Sequence, residues 1–115
     1  MNYGTMRIAI TSQGNSTESQ LDQRFGHCKY FVIYDTQTKA MEIIPNPYSE
    51  AEEQAGILAV KLLSSKKAVR IISGEFGIKV KPLLDSLKIQ MIMLKNSEKS
   101  IQSIIEMLNN TVKEF

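Results

Sequence analysis

Tyr30-Phe31-Val32-Ile33-Tyr34-Asp35, then Thr36-Gln37-Thr38, then Lys39-Ala40-Met41-Glu42-Ile43-Ile44: residues 30–44 decide the fold. The first run is dense in aromatic and β-branched side chains, which suit a pleated, half-buried surface. The second run also reads as a strand. So short a polar connection between two strands makes a hairpin. Pro45-Asn46-Pro47 ends the second strand, because proline removes a ladder donor and restricts the residue before it.

Working outward, Met6-Arg7-Ile8-Ala9-Ile10-Thr11 alternates in the manner of a strand, and the polar stretch Ser12 to Gln20 reads as a long loop. Downstream, Ser49-Glu50-Ala51-Glu52 fits a capping box opening a helix that carries Ala55, Leu58, Ala59, Leu62 and Leu63 on one face. Ala68–Ile72 is a buried-type strand, and Ser73–Gly77 a turn. Leu83, Leu84 and Leu87 mark a second helix, with Pro82 in its first turn. Ile89–Leu94 is the last strand. Ser97 caps a third helix whose Ile101, Ile104, Ile105 and Leu108 share a face. Residues 1–5 and 109–115 carry no element signal.

The predicted order is βββαβαβα. The hairpin pairs antiparallel, and the later strands lie parallel through right-handed crossovers. The expected fold is α/β: a mixed five-stranded sheet in the order 3-2-1-4-5, ribonuclease H-like, with three helices. One domain spans residues 1–115, with an ordered core at about 6–109.

Composition narrows the function. Hydrophobic residues are 43% and charged residues 23%, ordinary for a globular chain. No apolar run reaches the ~20 residues of a membrane span, and no secretory signal opens the chain, so a cytoplasmic protein is expected. Fourteen Lys and Arg against 12 Asp and Glu is a weak bias that does not call for nucleic acid. One cysteine and one histidine exclude a Cys₄, Cys₂His₂ or His₃ site within one chain. The first and fourth strands contain no acid, so the two-metal chemistry of a ribonuclease H-type nuclease has no ligands.

Ligands of open α/β sheets bind beyond the carboxyl ends of the parallel strands. That edge gathers the loop after the first strand, the turn after the third and the turn after the fourth. Asn46, Gly74, Glu75 and Arg24-Phe25-Gly26-His27-Cys28 converge there. The last of these segments holds the chain's only His and Cys beside an Arg. Imidazole and thiolate suit borderline metals and iron–sulfur clusters. Adjacent side chains diverge, so the pair does not enclose an ion alone; it is suited to touch an exposed face of a preformed cluster, or to bind a metal completed by another molecule. The plainer alternative is a solvated His27 and a Cys28 acting as a small buried apolar group. Cys28 as a nucleophile lacks a base held in reach by a third group. Gly74-Glu75-Phe76-Gly77 is a tight turn or a weak anion cradle. The methionines Met41, Met91, Met93 and Met107 read as core filling rather than as metal ligands.

The run Arg24 to Asp35, with the Asn46-Pro47 turn, the Ala55-Gly56 step and the Gly74 turn, resembles the dinitrogenase iron–molybdenum cofactor biosynthesis family over about residues 6–109. Where some members have His directly before Phe-Gly, this chain has Arg24, and its histidine follows as His27. Its first helix begins with an acidic run instead of a Gly-rich one. The resemblance implies a ribonuclease H-like fold without nuclease activity. It also implies a small non-catalytic carrier of an iron–sulfur or iron–molybdenum-type cluster or its precursor, working with other cofactor-assembly proteins as a monomer or weak dimer. Arg24, Phe25, Gly26, His27, Cys28, Asn46 and Gly74 are the expected binding residues. Among them, His27 and Cys28 are the metal ligands and Arg24 the partner for negative charge. Two rival readings are a metal-free interaction or regulatory module and a small anion-binding enzyme.

Overall fold

The computed structural model describes residues 6–112. Its elements are β1 (Arg7–Ser12), β2 (Tyr30–Asp35), β3 (Met41–Pro45), α1 (Ala55–Ser65), β4 (Ala68–Ser73), α2 (Val80–Ser86), β5 (Gln90–Met93) and α3 (Ile101–Val112). The sheet order is β3-β2-β1-β4-β5. β2 runs antiparallel to β1 and β3, while β4 and β5 run parallel to β1. This is the predicted mixed sheet with its three helices.

Strand side chains alternate between faces, so the central strands feed two cores. Ala9, Phe31, Ile33 and Ile71 meet Ala59, Val60 and Leu63 of α1 and Val80 and Leu84 of α2. Ile8, Ile10, Val32, Tyr34 and Ile72 meet Ile101, Ile104 and Ile105 of α3. One helix covers the second face where two cover the first. Ile43 on β3 and Ile92 on β5 are therefore only partly buried there.

Local signals misplace two helix starts. The Ser49–Glu52 capping box is not used. α1 begins at Ala55, preceded by Gln54 in a left-handed conformation (φ 62°) with no side-chain cap. The first turn of α1 packs closely on Gly26, where a Cβ would lie 2.6 Å from the Gly56 nitrogen. Ser49 instead gives its carbonyl to His27 Nδ1 at 3.1 Å. α3 is capped by Ser100, whose Oγ accepts the Ser103 amide at 3.1 Å, while Ser97 Oγ accepts the Lys99 amide in the preceding turn. α3 also runs past residue 109 to Val112. Residues 1–5 and 113–115, read above as lacking an element signal, lie outside the described residues.

The methionine reading holds only for Met91, which packs on the first core. Met41, Met93 and Met107 are 44%, 49% and 42% exposed. Met41 and Met93 sit on edge strands, and Met107 lies on the flank of the lone helix, so no second layer covers them. Among the described residues no helix is long and apolar enough to cross a membrane.

Candidate functional site

Four loops meet beyond the carboxyl ends of β1, β3, β4 and β5. What pins the first of them is a small buried polar node. Thr11 Oγ1 donates to the Asp22 carbonyl at 2.8 Å, and it lies 2.9 Å from Ser73 Oγ, which donates to the same carbonyl at 3.3 Å. The Gly74 and Glu75 amides then bond the Asp22 and Gln23 carbonyls, and the Phe25 amide bonds the Glu75 carbonyl. Residues 22–25 thus extend the sheet by a few bonds beside β4. The pairing needs glycine at 74, since a Cβ there would lie 2.6 Å from Gln23 Cα. Gln23 ties in the loop after β5: its Oε1 accepts the Asn96 amide and its Nε2 donates to the Ser97 carbonyl, both at 2.9 Å.

Phe25 follows and drops into the core, 2% exposed, with ring centroids 6.0 Å from Phe31 and 5.2 Å from Phe76. Gly26 then passes against the start of α1. A Cβ on Gly26 would sit 2.6 Å from the Gly56 nitrogen and 2.9 Å from the Ala55 carbonyl carbon. Next, the turn at residues 25–27 leaves His27 exposed, and Cys28 after it is buried in the first core, ahead of β2. Residues 46–54 fold back as a strap over this turn. Asn46, 4% exposed, holds the strap down. Its Nδ2 donates to the Gly26 carbonyl at 2.9 Å and the Cys28 carbonyl at 2.8 Å, and its Oδ1 accepts the Tyr48 amide at 3.0 Å.

The result is an open groove of about 850 Å³. Arg24 to His27 form one wall, Gln54 to Ile57 at the start of α1 a second, and Phe76 to Val80 the third. Its rim carries Arg24, His27 and Lys79 against Glu52, Glu53 and Glu75. Two of these charges are engaged nearby: Arg24 Nε lies 3.8 Å from Asp22, and Glu75 lies 3.9 Å from Lys95.

Of the residues singled out in the sequence, Arg24, Phe25, Gly26 and His27 line the groove. Cys28, Asn46 and Gly74 lie beneath it and hold its shape. The Cys28 side chain belongs to the first core and is not presented to a ligand. It lies just after the turn at residues 25–27, ahead of β2, where Asn46 bonds the Gly26 and Cys28 carbonyls and the thiol packs with Phe31 and Ile33. Gly74 was an expected binding residue, and its own N–H is bonded to the Asp22 carbonyl. Asp22 and Gln23 were not foreseen as anchors, nor Ile57, Ile78 and Val80 as groove residues. Their roles depend on contacts between distant segments. Among the described residues no three His, Cys, Asp or Glu side chains cluster to hold a metal ion.

Burial pushes the Cys28 thiol well above its ordinary value of 9.0, and the Asp22 carboxylate adds to the rise. The thiol stays protonated in the folded protein. Iodoacetamide at pH 8 is expected to leave it unmodified until the protein unfolds. A folded value above the unfolded one means that this group's stabilisation is full below the ordinary value of 9.0 and declines as pH rises beyond it. Urea midpoints at pH 8 and pH 10, compared between the native chain and Cys28→Ala, check the sign: the native chain should lose more.

The geometry has counterparts among solved structures. The chain superposes on the apo form of the orange protein from Desulfovibrio gigas with a TM-score of 0.82 at 25% identity, covering 94% of this chain and 90% of that one. A Thermotoga protein named for NifB and placed in the DUF35 family, solved by NMR, gives 0.75 at 26% identity, covering 91% and 88%. A Methanocaldococcus jannaschii protein named for dinitrogenase shares the fold at 0.55 and 17% identity, covering 89% of each chain. No curated protein matches the sequence. The sequence also matches the dinitrogenase iron-molybdenum cofactor family over residues 6–111, the whole of the fold and every wall of the groove, and the chain belongs to that family.

Proposed function

We propose that this protein is a non-catalytic carrier that holds an iron–sulfur-type metal cluster, or a precursor of one, in the groove between Arg24–His27, the start of α1 and Phe76–Val80. The observation that carries this reading is the setting of His27. A carbonyl oxygen only accepts, so Nδ1 carries the proton in its 3.1 Å bond to the Ser49 carbonyl. That fixes the ring and leaves Nε2 as the lone pair available for a metal. The imidazole is exposed at the mouth of a groove far larger than one ion needs. A single nitrogen ligand on the rim of a large cleft fits the open face of a cluster assembled elsewhere. Arg24 supplies the positive charge beside it. Glu52, Glu53 and Glu75 oppose a highly anionic cargo, so a cluster of low net charge is favoured.

A metal-free docking module is the second reading. It is favoured by Ile78, which stands 91% exposed on the groove's rim.

Anaerobic incubation with ferrous iron and sulfide, followed by desalting, iron analysis and an absorption spectrum, tests the first reading. The native chain is expected to retain iron and a charge-transfer band. His27→Ala should weaken retention by about tenfold or more, the scale seen when metal-site residues are removed. Arg24→Ala should weaken it less, and Cys28→Ala should retain as much as its folded fraction allows. A native chain that comes through colourless and iron-free, here and after exposure to a preformed iron–sulfur cluster, would end the carrier reading. Equal retention by His27→Ala would remove the imidazole from the site.

A further inference from the structure

At the end of the sheet opposite the groove, the turns carry a row of cations. Lys39 lies in the β2–β3 turn, Arg7 opens β1, Lys66 and Lys67 lead into β4, and Lys88 leads into β5. The register places them side by side: Arg7 pairs with Asp35 on β2 and with Ala68 on β4, and Gln90 of β5 pairs with Arg70. Four strand spacings put the row at about 19 Å.

The backbone shows that lysine is not the obvious choice at three of these turns. Lys39, Lys67 and Lys88 sit at φ 65°, 67° and 59°, a region where glycine or asparagine is less strained. Lys67 and Lys88 follow helices, whose C-terminal carbonyls favour a cation. Lys39 follows no helix, but its Nζ donates to Asn109 Oδ1 at 3.0 Å, in the C-terminal part of α3. All three side chains are exposed. Among the described residues neither Lys67 nor Lys88 has a carboxylate within ion-pair distance.

Three nearby acids are already engaged. Asp35 Oδ1 accepts the Gln37 and Thr38 amides, Glu42 lies 4.0 Å from Lys66, and Asp85 pairs with Lys81 at 3.3 Å. Beside Arg7 the edge also holds a hollow of about 270 Å³, lined by Ile33, Ala40 and Met41 and by Thr38 and the engaged acids Asp35 and Glu42.

We propose that this edge is a docking surface for an acidic segment of a partner protein: its carboxylates lie along Lys39, Arg7, Lys66, Lys67 and Lys88, and one apolar side chain enters the hollow beside Met41. A narrow row suits an extended peptide better than the broad basic face that nucleic acid calls for. The described residues place no exposed aromatic ring there for a base to stack on, Tyr34 being 3% exposed. Docking at this end leaves the groove open, so partner and cargo can be held together. The inference does not depend on what the groove binds.

The test uses the full chain and a labelled twelve-residue Glu/Asp peptide with a central leucine, followed by fluorescence anisotropy at low and physiological salt. Binding should weaken steeply with salt. The triple variant Lys39→Gln, Lys67→Gln, Lys88→Gln should weaken it by roughly tenfold or more, as loss of several complementary charges does. The triple glycine variant relieves the three turns as it removes the charges. It should lose binding equally while melting no lower than the native chain, which separates charge from folding. The control Lys29→Gln, Lys99→Gln, at the groove end, should bind as the native chain does. Absence of peptide binding, undiminished binding by both triple variants, or tighter binding of single-stranded RNA or anionic vesicles at the same salt would each overturn the proposal.

Discussion

Gly26→Ala is expected to destabilise the fold by about 3 kcal/mol or more, at the upper end of what overpacking costs. The added methyl would meet the Gly56 nitrogen at 2.6 Å, the Gly56 Cα at 2.8 Å and the Ala55 carbonyl carbon at 2.9 Å. These are backbone atoms of a helix start, so no side-chain rotation makes room. Relief requires moving α1, and with it Ala55, Ala59, Val60 and Leu63 in the first core. For a domain near this size the melting temperature should fall by roughly 10 °C or more. The groove should widen as α1 backs away, since Gly26 and Gly56 form facing walls. Thermal unfolding followed by circular dichroism reads the first effect. A melting temperature within a degree or two of the native value would mean that the wall contact is not as close as described.

The second large effect is expected at Asn46. Asn46→Ala strips the donor from two carbonyls, those of Gly26 and Cys28, and the acceptor from the Tyr48 amide. Asn46 is 4% exposed, so water does not readily replace these bonds. Leaving buried groups unsatisfied costs about 1–3 kcal/mol each, and a total near 3 kcal/mol is expected. Asn46→Asp should be worse at neutral pH. It keeps the acceptor for Tyr48 but aims a carboxylate oxygen at two carbonyl oxygens. Urea midpoints would rank the three proteins as native, alanine, aspartate, in falling order. An aspartate variant as stable as the native chain would contradict the assigned amide orientation.

These two positions also show what a sequence can and cannot disclose. The hairpin of residues 30–44 was legible because its first run is dense in aromatic and β-branched residues and so little chain joins its halves. The sheet order followed from chirality and short connections, which hold whatever the side chains are. The site's location was legible for the same reason: loops after parallel strands collect at one edge. What the residues there do was harder to read. Asn46 looks like a ligand donor in a list of polar loop residues, yet every one of its polar side-chain atoms is engaged by the backbone. Cys28 looks like a thiolate ligand beside His27, yet the turn before β2 leaves His27 exposed and packs Cys28 into the first core. The start of α1 packs on Gly26, far away in sequence, a contact that no local reading shows. Gln23 and Asp22 carry no local signal at all, since their partners lie in the turns after β4 and β5.

The most direct test of the groove as the binding site is an amide-resolved NMR comparison of the chain before and after anaerobic cluster reconstitution. Signals from Arg24 to His27, Gln54 to Ile57 and Phe76 to Val80 should shift or broaden, and those of Lys39, Lys67 and Lys88 at the far edge should stay in place. Changes confined to another face, or retained iron with the groove amides unmoved, would contradict a carrier built on this groove.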